Sequence, residues 1–299
     1  IGASAAHDSG YTGAGQTIAV IDTGGEAGHD FFGERVVHEA CFSTSDPAND
    51  IRGVCPNGEY SDVGPGTATP CTDGNCEHGT HVAGIAGGSG DSFTGVAPEA
   101  NIIAVQIASS FPNPGLSCFA LRCGQPTLAA VISAMEHVYT LRNTYDIAAV
   151  NLSLGTVATS STVCDGQIPP QDAVVDLLVN AGIAVIAGSG NASNSTGMSA
   201  PACISNVVSV GASTDNDGIA SFSNSTPFLD LLAPGDNIES SVPGNTFGVL
   251  SGTSMATPMV AGAWAVLRQV DPDATIREIL AALQLTGEPV NDSRHGVTT

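Results

Sequence analysis

Five short runs limit what this chain can become: "TIAVID" (17–22), "IIAVQI" (102–107), "AAVNLSL" (148–154), "IAVIAGSG" (183–190) and "VVSVGAS" (207–213). Each is nearly unbroken in apolar and β-branched residues, as a strand must be when both of its faces are covered. Between them lie helical patterns, "TLAAVISAMEHVYTLR" (127–142) and "PQDAVVDLLVNAG" (170–182), the second opening on Pro and closing on Gly. The alternation predicts an α/β fold of three layers, a mostly parallel twisted sheet flanked by helices on both faces. In such a sheet, sites form beyond the carboxyl ends of the strands. "TIAVID" ends on Asp22, and "IAVIAGSG" runs directly into Asn191.

With 299 residues, 42% of them hydrophobic, and no abrupt change of composition, residues 1–299 are expected to form one domain. No run of about 18 apolar residues occurs, so no membrane span is expected. The formal charge is −22 and every one of the seven basic residues is Arg. That excludes a nucleic-acid partner, because phosphate binding needs clustered positive charge. The start at Ile1, with no initiator Met and no charged-then-apolar leader, fits a secreted mature chain that has lost its signal and a pro-segment.

Eight cysteines in an even set also fit an oxidising compartment. Short-range closure pairs Cys71 with Cys76 and Cys118 with Cys123, which leaves Cys41 with Cys55 and Cys164 with Cys203 by elimination. The Cys-, Gly- and Pro-rich stretches 41–76 and 108–126 read as long excursions pinned by these bridges, and 197–202 and 221–227 as further loops.

"GTSMATP" (252–258) sets one serine among small residues ahead of a helical segment. Serine becomes a nucleophile only when a neutral imidazole takes its proton and a carboxylate holds that imidazole in the right tautomer. His78 leads "HGTHVAG" (78–84), and Asp22 ends a buried strand, where an unpaired carboxylate is unfavourable. The order acid, base, nucleophile differs from that of hydrolases built on a G-x-S-x-G elbow, and no such elbow is present. Ser254 at a helix start would have free N–H groups beside it, with Pro258 near the first turn, where a missing N–H matters little.

"AVIDTG" (19–24), "HGTHVAG" and "SGTSMATPMVAG" (251–262) resemble the three signature blocks of the subtilisin-like serine proteases, and "NLSLG", "SGN" and "LAPG" are interleaved as in that family. The resemblance implies an endopeptidase that cuts proteins or peptides through an acyl-enzyme. It assigns Asp22, His78 and Ser254 to the triad, and Asn191 with the Ser254 N–H to the oxyanion. It further implies a specificity pocket walled by Ser153, Leu154 and Gly155 opposite Gly188, Ser189 and Gly190, with Ser199 near its base. None of these is charged, so an apolar or mixed preference is expected ahead of a dibasic one. A backbone edge at Cys123–Pro126 would add the substrate as a strand.

No organic cofactor is implied, but family members often bind calcium, here through Asp230 and the carbonyls of Ala202, Ile204 or Val207. The alternative for Asp230 is a strand-closing residue bonded to its own backbone. A second family calcium site needs a longer loop than "GGSGDSFTG" (87–95). The resemblance also implies a monomer, inhibited by its own pro-segment.

Two other readings compete. "CEHGTH" (76–81) could hold zinc, although the acid of an H-E-x-x-H motif is missing and His81 is expected to pack structurally. A binding module that has lost turnover would lack part of the catalytic set. Glu77 stands where the family usually has Gly, and Met255 beside the nucleophile is expected to be a point of peroxide damage.

Overall fold

The computed structural model describes residues 1–112, 120–294 and 297–298. Eight strands form the central sheet: β1 (Thr17–Asp22), β2 (Val36–Phe42), β3 (Ser61–Val63), β4 (Asn101–Gln106), β5 (Ile147–Leu152), β6 (Ala184–Gly188), β7 (Val208–Ser213) and β8 (Leu231–Pro234). Their spatial order is β8-β7-β6-β5-β1-β4-β2-β3. All neighbours run parallel except the edge strand β3, which pairs antiparallel with β2.

The pleat of β1 shows why its sequence is apolar throughout. Ile18 and Val20 point into a core shared with helices α1 (His78–Gly87), α4 (Thr253–Val270) and α5 (Ile276–Thr286). Ala19 and Ile21 point the other way, into a core shared with α2 (Leu128–Thr140) and α3 (Pro169–Asn180). Each fully buried aliphatic side chain contributes about 1.5–3 kcal/mol, so a strand covered on both sides favours apolar residues at its central positions. Its one carboxylate is therefore at the very end.

The five strands and two helices expected from the sequence are present within one or two residues of their expected bounds. The stretch 41–76 is less of an excursion than expected: it contains the end of β2 and all of β3, which extend the sheet beyond β4. Likewise 108–126 begins and ends as an antiparallel hairpin, Ala108–Pro112 with Arg122–Pro126. The Arg122 guanidinium, 2.7 Å from Asp50, ties it to the 46–52 loop. The edge at Cys123–Pro126 is thus already paired on one side, and the Gly124 N–H donates to Gly74 on the other.

Disulfides join Cys41 to Cys55, Cys71 to Cys76 and Cys164 to Cys203, as short-range closure and elimination pair them. Cys123 is also disulfide-bonded, while its expected partner Cys118 lies outside the described residues.

Candidate active site

Asp22 ends β1 with its carboxylate almost wholly buried, and Oδ1 accepts hydrogen bonds from the Thr23 N–H and from His78 Nδ1, both at 2.7 Å. The turn after the strand is stitched to the start of α1, because Thr23 Oγ1 accepts from the Gly79 N–H at 2.9 Å. This approach is too close for any side chain at 79, where a Cβ would fall 2.1 Å from the Gly24 carbonyl. Hence glycine follows the histidine.

A carboxylate acceptor on Nδ1 fixes the proton there and leaves the Nε2 lone pair free. The His78 side chain remains one quarter exposed, 25% against 3% for Asp22. Burial alone would lower its pKa, but the charge and hydrogen bond of Asp22, with a smaller contribution from Glu77, prevail and raise it.

Ser254 is the second residue of α4, and its N–H has no acceptor among the described residues, as expected in a first helical turn. Its Oγ donates to the Ser153 carbonyl at 3.2 Å, and no hydrogen bond joins it to His78 in this structure. Pro258 departs from expectation: it lies inside α4, in the second turn rather than the first. Its missing N–H is the one that would bond to the Ser254 carbonyl four residues back. Ser153 Oγ takes that place, donating to the Ser254 carbonyl at 2.8 Å and itself accepting from Asn151 Nδ2 at 3.0 Å. The proline thus frees a carbonyl through which the end of β5 holds the Ser254 backbone.

Asn191 follows β6 on an exposed loop, and its Oδ1 accepts from both the Thr253 N–H (2.9 Å) and Thr253 Oγ1 (3.0 Å). With Oδ1 occupied, Nδ2 is the free end of the amide. Beside it opens a cleft of about 230 Å³. Leu154, Gly155, Gly188, Gly190 and Ser199 line this cleft together with Asn191 and Ser254, and no charged side chain does. Ser153 and Ser189 do not reach its surface. They stand behind it, Ser153 bonded to Ser254 and Ser189 Oγ bonded to the Asn224 carbonyl at 2.8 Å.

Sequence reasoning missed Thr23 and Thr253, which orient Asp22 and Asn191, although both lie inside the quoted blocks. It also missed Val157, fully exposed at the rim of the cleft and just past "NLSLG". Met255 is buried, 1% exposed, in the core beneath the nucleophile.

The zinc reading does not survive the geometry. Cys76 is in a disulfide, His78 faces Asp22, and His81 Nε2 lies 3.0 Å and 3.1 Å from the carbonyls of Ile238 and Gly248. Among the described residues, no three His, Cys, Asp or Glu side chains gather as a metal cluster. Asp230 precedes β8, and its carboxylate is bonded to Ser209 of the neighbouring β7 rather than to its own backbone. Its Oδ2 accepts from the Ser209 N–H at 2.8 Å and Ser209 Oγ at 2.7 Å. Burial raises the pKa of this carboxyl group against those two bonds, and the Ile204 carbonyl is taken by the Val207 N–H. The donors left for a hard cation are the other carboxylate oxygen and the carbonyls of Ala202 and Val207, a set of oxygens that suits calcium in kind but is poor in charge.

Known proteins resemble this chain over most of its length. A family model described as the subtilase family, Peptidase S8, matches residues 13–297. Subtilisin BL of Lederbergia lenta is 34% identical over 272 residues, covering 90% of this chain and 82% of the relative. Subtilisin E of Bacillus subtilis (strain 168) is 32% identical over 298 residues, covering 98% of this chain and 66% of the relative. Among solved structures, a cold adapted subtilisin-like serine proteinase superposes with a TM-score of 0.70 at 30% identity, covering 96% of this chain and 88% of the other. Sphericase, at 23% identity, shares the fold with a TM-score of 0.71, covering 92% of this chain and 83% of its own.

Proposed function

The chain belongs to the subtilase family of serine endopeptidases, and on that premise we propose that Ser254, His78, Asp22 and Asn191 carry out its peptide-bond hydrolysis. Ser254 Oγ attacks the scissile carbonyl while His78 Nε2 takes its proton, and Asp22 holds the imidazole and stabilises the cation that forms. The oxyanion receives hydrogen bonds from Asn191 Nδ2 and the Ser254 N–H at the positive end of α4. His78 then protonates the leaving amine, and a water repeats the sequence on the acyl-enzyme. Ser254 Oγ must first turn from the Ser153 carbonyl to His78, a tightening that commonly accompanies substrate binding.

The observation that carries this reading is the 2.7 Å contact of His78 Nδ1 with a buried carboxylate at the strand end. The uncharged cleft supports an apolar or broad preference for the residue preceding the cut. Casein hydrolysis by the purified chain, reduced about 10⁴-fold or more in Ser254→Ala, is the expected result. Turnover that survives in the variant would refute the assignment.

The proposal extends to the whole chain. Residues 1–299 act as one domain, supported by a single sheet that gathers strands from 17 to 234. The chain works as a secreted monomer inhibited by its pro-segment; its disulfides support an oxidising location, and among the described residues no helix is long and apolar enough to cross a membrane. Calcium at Asp230 would act only on stability. Added calcium should raise the unfolding midpoint of the chain but not of Asp230→Asn, and equal midpoints with and without chelator would remove the ion from the account.

A further inference from the structure

Asn224 lies in "SFSNSTP" (221–227), which the sequence marks only as a loop, yet it is 0% exposed. A buried amide must find partners for every donor and acceptor. The side-chain partners of Asn224 all lie on one segment. Its Nδ2 donates to the Ser189 carbonyl at 3.1 Å, and its Oδ1 accepts from the N–H groups of Ala192 (2.9 Å) and Asn194 (3.0 Å). Its backbone N–H donates to the Gly190 carbonyl at 2.8 Å, and its carbonyl accepts from Ser189 Oγ at 2.8 Å. These bonds bracket Asn191 on both sides.

The backbone there needs such support. Gly190 has φ +105, and a Cβ on it would fall 2.4 Å from Asn224 Nδ2, so the amide packs directly against the residue that precedes Asn191. Ser193, two residues on, has φ +56, and its N–H donates to the Phe222 carbonyl at 2.8 Å. The far side of the clamp is anchored in turn. Arg294 Nη1 donates to the Ser223 carbonyl at 2.9 Å, and Arg294 is paired with Asp292, itself 2% exposed.

We infer that Asn224 is a positioning residue for the oxyanion site, holding the 189–194 segment so that the Asn191 amide stands where charge develops on the substrate. The role rests on the reading of Asn191 as the oxyanion donor. Asn224 touches no substrate. It acts on the transition state through the placement of Asn191, and a misplacement of about 1 Å can slow catalysis about 10²-fold.

The test is a double-mutant cycle of Asn224→Ala with Asn191→Ala, read as kcat and KM on a peptide substrate and as inhibition by a peptide boronic acid, with thermal unfolding as the check on folding. Asn224→Ala is expected to lower kcat by about tenfold to a hundredfold, with KM changed less than about threefold, and to weaken the boronate in proportion to kcat/KM. In the Asn191→Ala background the same substitution should lower kcat less than about twofold. Should Asn224→Ala fail to fold, Ser189→Ala removes one bond of the same clamp and is expected to give a smaller loss of the same kind. An equal loss in both backgrounds, a loss carried by KM, or unchanged kcat in every folded clamp variant would overturn the inference. If Asn191→Ala itself left kcat unchanged, the underlying oxyanion reading would be the one to fail.

Discussion

The Glu77 side chain is exposed and makes no hydrogen bond among the described residues, yet it precedes His78 and its charge helps raise the His78 pKa. Activity requires neutral His78, so the acid limb of kcat/KM follows that pKa. Glu77→Gln removes a negative charge, the protonated imidazole loses support, and the acid limb should move to lower pH. The shift should be largest at low ionic strength, since exposed charges are screened over about 8 Å at 0.15 M. An acid limb that stays in place at low salt, or moves to higher pH, would contradict this. Asp22, His78, Ser254 and Asn191 stood out in the sequence because each sits in a short block with small neighbours, of which Gly79 is demanded by the close approach of the Gly24 carbonyl. Asn224 was not legible, because nothing local distinguishes a buried Asn in a polar loop from a turn residue.

His81 shows what the elements add. One turn beyond His78, fully buried, it joins α1 to the hairpin formed by Ile238–Val242 and Thr246–Leu250 through the carbonyls of Ile238 and Gly248. An Nε2–H donor can serve both carbonyls, whereas Nδ1 is buried without a partner among the described residues, so burial holds the imidazole neutral and lowers its pKa from 6.5 to about 4. A histidine whose folded pKa is depressed contributes stability above its unfolded pKa. That contribution fades as pH falls from about 6.5 to 4, because the unfolded chain takes up a proton that the folded chain refuses. The stability advantage of the chain over His81→Asn should therefore shrink by on the order of 3 kcal/mol between pH 7 and pH 4. A pH-independent difference in urea unfolding would contradict the assignment. Elements with a strong period were readable, β1 and α4 above all. The strand Val36–Phe42 was not, since its half-buried, mixed composition carries neither alternation nor an unbroken apolar run. Pro258 lies in the second turn of α4 rather than the first because the helix begins at Thr253, a boundary the local sequence does not fix to the residue.

At the scale of the molecule, parallel topology delivers the parts to one end of the sheet. Asp22 ends β1, Ser153 follows β5, and Asn191 follows β6 after a tight turn, so three neighbouring strands bring together the parts of the proposed site. Helices α1 and α4, packed in the same core, bring the base and the nucleophile from the same side. The two cores, one on each face, hold that end rigid, and the site lies beyond the carboxyl ends of the strands, where open α/β sheets place their ligands. The net charge of −22 belongs to this surface and bears on solubility and long-range attraction of cations, not on the fold.

The central claim is that Ser254 is activated by an imidazole which Asp22 orients. Labelling with a fluorophosphonate, mapped by mass spectrometry and timed across pH, tests it most directly. One label per chain, on Ser254, is the predicted outcome, with a rate that rises as His78 loses its proton and falls at least about 10³-fold in His78→Ala. A label on another residue, or undiminished labelling of Ser254 in a folded His78→Ala variant, would contradict the account.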